Sequence, residues 1–363
     1  MPSLMEGGTW ELFSDSILYP KEASKYKWAE GEILDVSGHT RNCNSLQFAP
    51  NGALLATGGD DKSARLFNTT DWRCTQKFDQ GDGVVQLCWN PTGSTSLATL
   101  AADKVLRFWD VRWVSFLAAL LLLLKGLVRS QKAVWQLKVS HEYINIAWTP
   151  DGATVAVGSS VGKDETGGVK DSVSLVDVAT RKVSKKLKFS YEVNEFVWAP
   201  NSAHLLLTTE HGTVEVLSTD GEAYTMRAHT DDCYCLAIDA PAGRLAVGSK
   251  DSIVSIWDLP NLACIKTNAR HITPVRCVAF SRDAEFLASS AYDPGIDIAE
   301  TETGDLAYKL EAPCAMNSLA WHPSSLLLAY ALDTKAGSTG TATAPAPAPD
   351  TTFIKLFKVP PPQ

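Results

Sequence analysis

One order of apolar and polar positions recurs along the chain. A short apolar run ends in a large aromatic or aliphatic residue, and a turn rich in Pro, Asn, Asp and Gly follows. Next come a Leu- and Ala-rich run, a Gly/Ser/Asp break, and a third apolar run that closes near Trp-Asp. Short runs of this kind, bounded by turn residues, predict β-strands. The residue ending the first run falls at Phe48, Trp89, Trp148, Trp198, Ile238, Phe280 and Trp321, at intervals of 41, 59, 50, 40, 42 and 41. Four of the six intervals match a repeat of about 40–45 residues, the length of one four-stranded unit.

The turns carry their own mechanism. They read Pro50-Asn51-Gly52, Pro91-Thr92-Gly93, Pro150-Asp151-Gly152, Pro200-Asn201, Pro241-Ala242-Gly243, Ser281-Arg282-Asp283 and His322-Pro323. Pro presets φ, while Asn, Asp and Gly tolerate the left-handed conformation, so each predicts a hairpin. An Asp stands six residues before the closing position at Asp61 (Phe67), Asp103 (Trp109), Asp251 (Trp257) and Asp293 (Ala299), and a His precedes two of the units at His39 and His229. Asp, His, a hydroxyl and Trp together could imitate a catalytic set. In a repeat they are expected to fix the turns of a sheet.

Seven such units predict an all-β fold, a seven-bladed β-propeller of the WD40 kind. The last strand, within Phe353–Val359, lacks an outer neighbour in its own unit. The segment from Gly31 to Ser37 is placed to supply it, closing the ring with the N-terminal strand. Residues 28–359 then form the propeller, and residues 1–27, with Trp10 and Phe13, an arm that either docks on something or is a loose tail. Residues 360–363 are a Pro-rich tail of polyproline type.

Three insertions interrupt the period. The first, Val114 to Gln131, holds an eleven-residue run, Val114–Leu124, with a single Ser, too short for a membrane span of about 20 residues. It reads either as a helix inserted between blades two and three or as translated intron. Val codons begin with GU, a Gln codon can end in AG, and removing these 18 residues restores an interval of 41. The second, 159–170, contains Gly158-Ser159-Ser160-Val161-Gly162-Lys163-Asp164. As a nucleophile elbow this would need a parallel strand feeding a helix. As a phosphate loop it is one residue short, with Asp164 where a hydroxyl should meet Mg²⁺. An expanded solvated turn is the expected form. The third, 335–350, is a Gly/Ser/Thr/Ala/Pro loop.

Composition narrows the function. Net charge is −8, which disfavours a surface built as a whole to grip nucleic-acid phosphates, though a local basic patch stays open. The eight Cys form no C-x-x-C pair and are read as reduced thiols of an intracellular protein. The seven His include no HExxH and no metal-ligand spacing, and paired carboxylates occur only in turns such as Asp60-Asp61 and Asp231-Asp232. The expectation is a protein that is not an enzyme, with no cofactor, metal, membrane contact or small-molecule substrate. Partner contacts are expected where the inner strands begin, at Arg41, Asp82, Tyr143, Glu192, Tyr234 and Thr273, since exposed Tyr and Arg make good anchors.

Several stretches are more specific than the repeat: Val85-Gln86-Leu87-Cys88-Trp89-Asn90-Pro91, Arg107–Arg112, Ile144–Gly152, Tyr191–Trp198, Ile296–Asp305, Leu319–Pro323 and Leu328–Asp333. Ile298-Ala299 stands where most repeats place Trp-Asp. On these the chain resembles the THO complex subunit 3 family, from which Val114–Gln131 departs. The resemblance implies a nuclear, non-enzymatic scaffold that joins other THO/TREX subunits, which are large helical proteins, and serves mRNP assembly and mRNA export with RNA contact left to those subunits. A generic propeller adaptor, such as a ubiquitin-ligase substrate receptor or a chromatin-complex subunit, is the alternative reading.

Overall fold

The computed structural model describes residues 26–93, 95–112, 132–138, 142–160, 171–218, 222–239, 243–334 and 352–360, for 142–144 the backbone alone. The insertions at 114–131, 161–170 and 335–350, the arm up to residue 25 and the end of the Pro-rich tail lie outside these residues. The described chain forms seven four-stranded antiparallel sheets. The innermost strands of blades one to seven are Cys43–Phe48, Val84–Trp89, Glu142–Trp148, Val193–Trp198, Cys233–Asp239, Val275–Phe280 and Met316–Trp321. Each touches the next, and the seventh touches the first, so the blades form a closed ring.

Six blades run from inner to outer strand in chain order. The seventh is completed by the chain's N-terminal strand, Glu32–Val36, antiparallel to Ile354–Lys358 with Asp35 opposite Lys355. Lys355 Nζ meets Asp35 Oδ1 at 2.5 Å and lowers the carboxyl's pKa. The expected closure is thus the one observed. It ties the two ends of the ring together without a covalent bond.

Burial explains the hydropathy pattern. Second strands are covered by neighbouring blades on both faces, so they read as apolar runs without alternation; Leu327–Leu332 is buried throughout. Outer strands face solvent, and Lys182–Lys188 is exposed at all but one position. After the first strand of five blades the chain turns through a left-handed residue. It is Gly52 (φ 73°), Gly152 (72°) or Gly243 (65°), but Ser202 (56°) in blade four and Ala284 (52°) in blade six. At Gly52 no other residue would fit, because an added Cβ would lie 2.7 Å from the His322 ring.

The repeated aromatic has a physical job. Trp89 Nε1 donates to Gln47 O at 3.1 Å, Trp148 Nε1 to Cys88 O at 3.3 Å, Trp198 Nε1 to Ala147 O at 3.3 Å, and Trp321 Nε1 to Ala279 O at 3.1 Å. Each indole therefore fills the seam to the preceding blade and hydrogen-bonds its inner strand. A second tier lies nearer the other end of the inner strands. The Leu87 amide donates to Ser45 Oγ (3.2 Å), Ile146 to Gln86 Oε1 (3.0 Å), Leu236 to Glu195 Oε2 (3.1 Å) and Leu46 to Ser318 Oγ (3.3 Å). Asn145 Nδ2 donates to Phe196 O (2.9 Å), Cys235 Sγ to Val275 O (3.9 Å) and Cys277 Sγ to Asn317 O (3.4 Å). One position, the third before the residue that ends each inner strand's apolar run, thereby bridges all seven seams.

The N-terminal segment also brings an indole from outside the repeat. Trp28, in the short 3₁₀ turn Trp28–Glu30, is 4% exposed. It meets Phe286 edge-on at 4.8 Å and stacks on Tyr308 and Phe357, across the seam of blades six and seven. Tyr26 packs on Phe286 and donates its hydroxyl to Glu285 at 2.7 Å, so the last residues of the expected arm are docked. Blade six closes at the small Ala299, where blades two and five have Trp109 and Trp257. Trp28→Ala should cost about 3–5 kcal/mol of stability, the usual loss for a large buried aromatic. Chemical denaturation measures it, and a loss below about 1 kcal/mol would show that the indole does not anchor the closure.

Candidate interaction face

The turns that join blade to blade and the turns between second and third strands share one face, and polar networks hold them. In blade one His39 Nδ1 lies 2.9 Å from Asp61 Oδ1, and its Nε2 lies 2.8 Å from Thr57 Oγ1. Burial opposes ionisation of Asp61. Hydrogen bonds from His39, Ser63 and the Thr40 amide outweigh it, and the carboxyl sits far below the usual range. In blade five His229 spans Asp251 Oδ2 (3.0 Å) and Ser255 Oγ (2.7 Å), and Trp257 Nε1 donates to the same Ser255 oxygen at 2.7 Å. On paper this is an acid–base–nucleophile series. Yet Ser255 is buried and its oxygen already accepts from the indole.

The blades vary the theme. In blade five the hydroxyl moves to the third strand. Val247 occupies the place of Thr57, and Ser255 is its cross-strand partner. In blade two Gln80 replaces His: Thr99 Oγ1 donates to Gln80 Oε1 at 3.3 Å and accepts from Trp109 Nε1 at 2.8 Å, while Asp103 is paired with Arg107. In blade six His271 reaches Ser289 Oγ at 2.8 Å, and Asp293 accepts from Thr273 instead. Gln80, Thr57, Thr99, Ser255, His271 and Ser289 escaped the sequence reading. The equivalence of His271 to His39 and His229 could have been found from its spacing to Asp293.

These networks fix the mouth of the ring where the inner strands begin. Arg41 and Glu192 are exposed there, and the Glu192 amide donates to Glu210 Oε1 at 3.1 Å. Asp82 pairs with Lys62 at 3.1 Å; the Gly83 amide and Lys62 lower its pKa. Tyr234 is half-buried, and burial raises its phenol pKa. Thr273 is half-buried and its hydroxyl is engaged by Asp293. Tyr143 lies in the inner strand of blade three opposite Ser159, its side chain outside the described residues. Ser159 itself is buried in an antiparallel strand, its Oγ 2.9 Å from Ser172 Oγ.

A further set at this mouth went unread. Arg276 Nη1 meets Asp333 Oδ2 at 2.7 Å, Asn42 Nδ2 donates to Asp333 Oδ1 at 3.3 Å, and Arg276 Nη2 donates to Asn317 Oδ1 at 3.3 Å, so blades six, seven and one are joined there. The guanidinium also lies 4.7 Å from the ring centroid of Tyr292. Beside it Ile272 is 84% exposed and Tyr292 48% exposed. Tyr and Arg are among the residue types that dominate protein interfaces.

Cys43, Cys88, Cys233 and Cys235 are buried free thiols, Cys74, Cys277 and Cys314 half-buried, and Cys264 exposed. Among the described residues no group of three or more His, Cys, Asp or Glu is arranged to hold a metal ion, and no helix is long and apolar enough to cross a membrane.

Four segments, 31–68, 72–110, 221–258 and 262–296, match the family described as WD domain, G-beta repeat. The chain is 37% identical over 308 residues to THO complex subunit 3 of Arabidopsis thaliana, covering 83% of this chain and 90% of that protein. It is 28% identical over 339 residues to WD repeat-containing protein AAC3 of Dictyostelium discoideum, covering 85% and 65% respectively. The β-propeller domain of Cps50 (Swd1) from Myceliophteria thermophila superposes with a TM-score of 0.69 at 16% identity, over 90% of this chain and 99% of that one, which speaks to the fold alone.

Glu195 sets a pH dependence. It is the one carboxylate in the belt of third-position bridges, and burial pushes its pKa up to about 7 against only the Leu236 amide. A carboxyl that ionises near 4.5 in the unfolded chain and near 7 in the folded one stabilises the fold fully below pH 4.5. That contribution falls as pH rises and is gone above pH 7. Glu195→Gln keeps the acceptor and removes the charge. Its melting temperature should match the wild type at pH 5 and exceed it at pH 8; a gap equal at both pH values would contradict the assignment. In blade one, Asp61→Ala strands the buried His39 and should cost about 3 kcal/mol, measurable by urea denaturation at pH 7.

Proposed function

The chain belongs to the THO complex subunit 3 family, and from that premise we propose that it works in the nucleus as a non-enzymatic WD40 scaffold. In this reading it joins the other THO/TREX subunits, coupling transcription to mRNP assembly and mRNA export. The observation that carries the reading is 37% identity over 83% of the chain to THO complex subunit 3. The geometry supports it. The Asp–His–hydroxyl sets are buried turn supports, and the exposed chemistry at the mouth is that of an interface.

The large helical subunits would dock on the mouth, with Ile272, Tyr292 and Arg276 as central anchors and Arg41, Asp82, Glu192 and Tyr234 around them. The net charge of −8 supports leaving the bulk of RNA contact to other subunits. Ile272→Asp combined with Tyr292→Ala should reduce co-purification of the large THO subunits from nuclear extract at least tenfold, with an unchanged melting temperature. Undiminished recovery would remove the mouth of blade six as the docking site. Recovery of ubiquitin-ligase or histone-modifying components in place of THO subunits would favour the generic adaptor.

A further inference from the structure

The outer strand of blade three differs from its six counterparts in charge. Cys74–Asp79 carries one cation and one anion; Trp135–Lys138, Ala223–Arg227, Ala263–Asn268 and Leu306–Leu310 carry one cation each; Glu32–Val36 carries two anions. Lys182–Lys188 carries Lys182, Lys185, Lys186 and Lys188, and Arg181 stands in the turn before it. All five are exposed. Among the described residues Arg181, Lys182, Lys186 and Lys188 have no ion-pair partner. Asp177 is opposite Lys182 in register, but its carboxylate accepts from the Thr180 amide (2.6 Å) and hydroxyl (2.7 Å).

Lysine on an edge strand deters pairing with another sheet, but the outer strands of blades four, five and six meet that need with one cation apiece. Four positive charges without an ion-pair partner among the described residues, Arg181, Lys182, Lys186 and Lys188, lie close together on a chain of net charge −8 and repel one another, which a polyanionic ligand would relieve. Its chemistry follows from what the strand holds and lacks. Lys is depleted at protein interfaces, which favour aromatic and Arg anchors. No aromatic side chain sits in Lys182–Lys188 to stack on a base. Alternate residues of a strand stand about 6.6 Å apart, as do Lys186 and Lys188 on one face.

We propose that the outer edge of blade three contacts the sugar–phosphate backbone of single-stranded RNA, independently of its sequence. The contact needs no other subunit, so the purified full-length chain tests it, and its failure would leave the scaffold reading untouched. The probe is a fluorescently labelled 20-nucleotide oligouridylate, followed by anisotropy at 50, 100 and 200 mM salt. Three or four phosphate contacts give a slope of log K against log salt of about −2 to −3. Lys182→Glu/Lys186→Glu/Lys188→Glu should weaken binding at least tenfold at 50 mM salt and flatten the slope. The Gln triple variant should act in the same direction with smaller effect, while Lys266→Glu on blade five leaves affinity unchanged. All variants should keep the wild-type melting temperature, since the side chains are exposed. Equal binding by wild type and the Glu triple variant, equal loss in Lys266→Glu, or tighter binding of a labelled poly-glutamate peptide than of the RNA would overturn the proposal.

Discussion

A sheet whose inner strand borders a central axis leaves one edge of backbone without a partner, and seven such edges must be satisfied together for the ring to hold. The residue three places before Phe48, Trp89, Trp148, Trp198, Ile238, Phe280 or Trp321 in each inner strand answers this constraint. Ser45, Gln86, Asn145, Glu195, Cys235, Cys277 and Ser318 each reach the inner strand of the following blade, and the bridge from blade seven to blade one completes the circle. Indoles from four blades add a second tier. Small polar groups suffice because each bridge has to satisfy one backbone group of its neighbour. Glu195 is the exception, since burial favours the protonated form of its carboxyl and raises its pKa to about 7.

The fold was readable because its strongest signals are local and repeated. Turn residues and the seam-filling aromatic recur at nearly fixed intervals, so the number of blades and the closure by Glu32–Val36 could be read from spacing alone. The seam bridges were not readable in the same way. Ser, Gln, Asn, Glu and Cys share no side-chain class, and their equivalence appears only when the inner strands lie side by side. Blade five shows the same limit. Its hydroxyl moves from the second strand to the third, because Val247 and Ser255 face each other across a ladder and either can present a group at one point in space. Likewise Gln80 replaces His in blade two, where Arg107 already pairs with Asp103.

The mouth of the ring was legible in outline: Arg41, Glu192 and Asp82, picked out at the leading ends of the inner strands, stand there. Thr273 is held by Asp293, and Ile272, the most exposed large apolar residue among the described ones, sits beside it unremarked in the sequence, because exposure is a property of the ring. Arg276, Asn317, Asp333 and Asn42 lie far apart in the chain and meet only because blades six, seven and one close on one another. A rigid ring suits a scaffold for this reason: residues from separate blades keep fixed positions without any partner present.

The central claim is that the inter-blade bridges join seven sheets into one cooperative unit. Native-state hydrogen exchange of the Leu46, Leu87, Ile146 and Leu236 amides tests it most directly, since each donates to the side chain of a neighbouring blade. The account predicts that all four exchange with one free energy, equal to that of global unfolding. Exchange of any one through a smaller, local opening, with its blade released while the others stay folded, would contradict it.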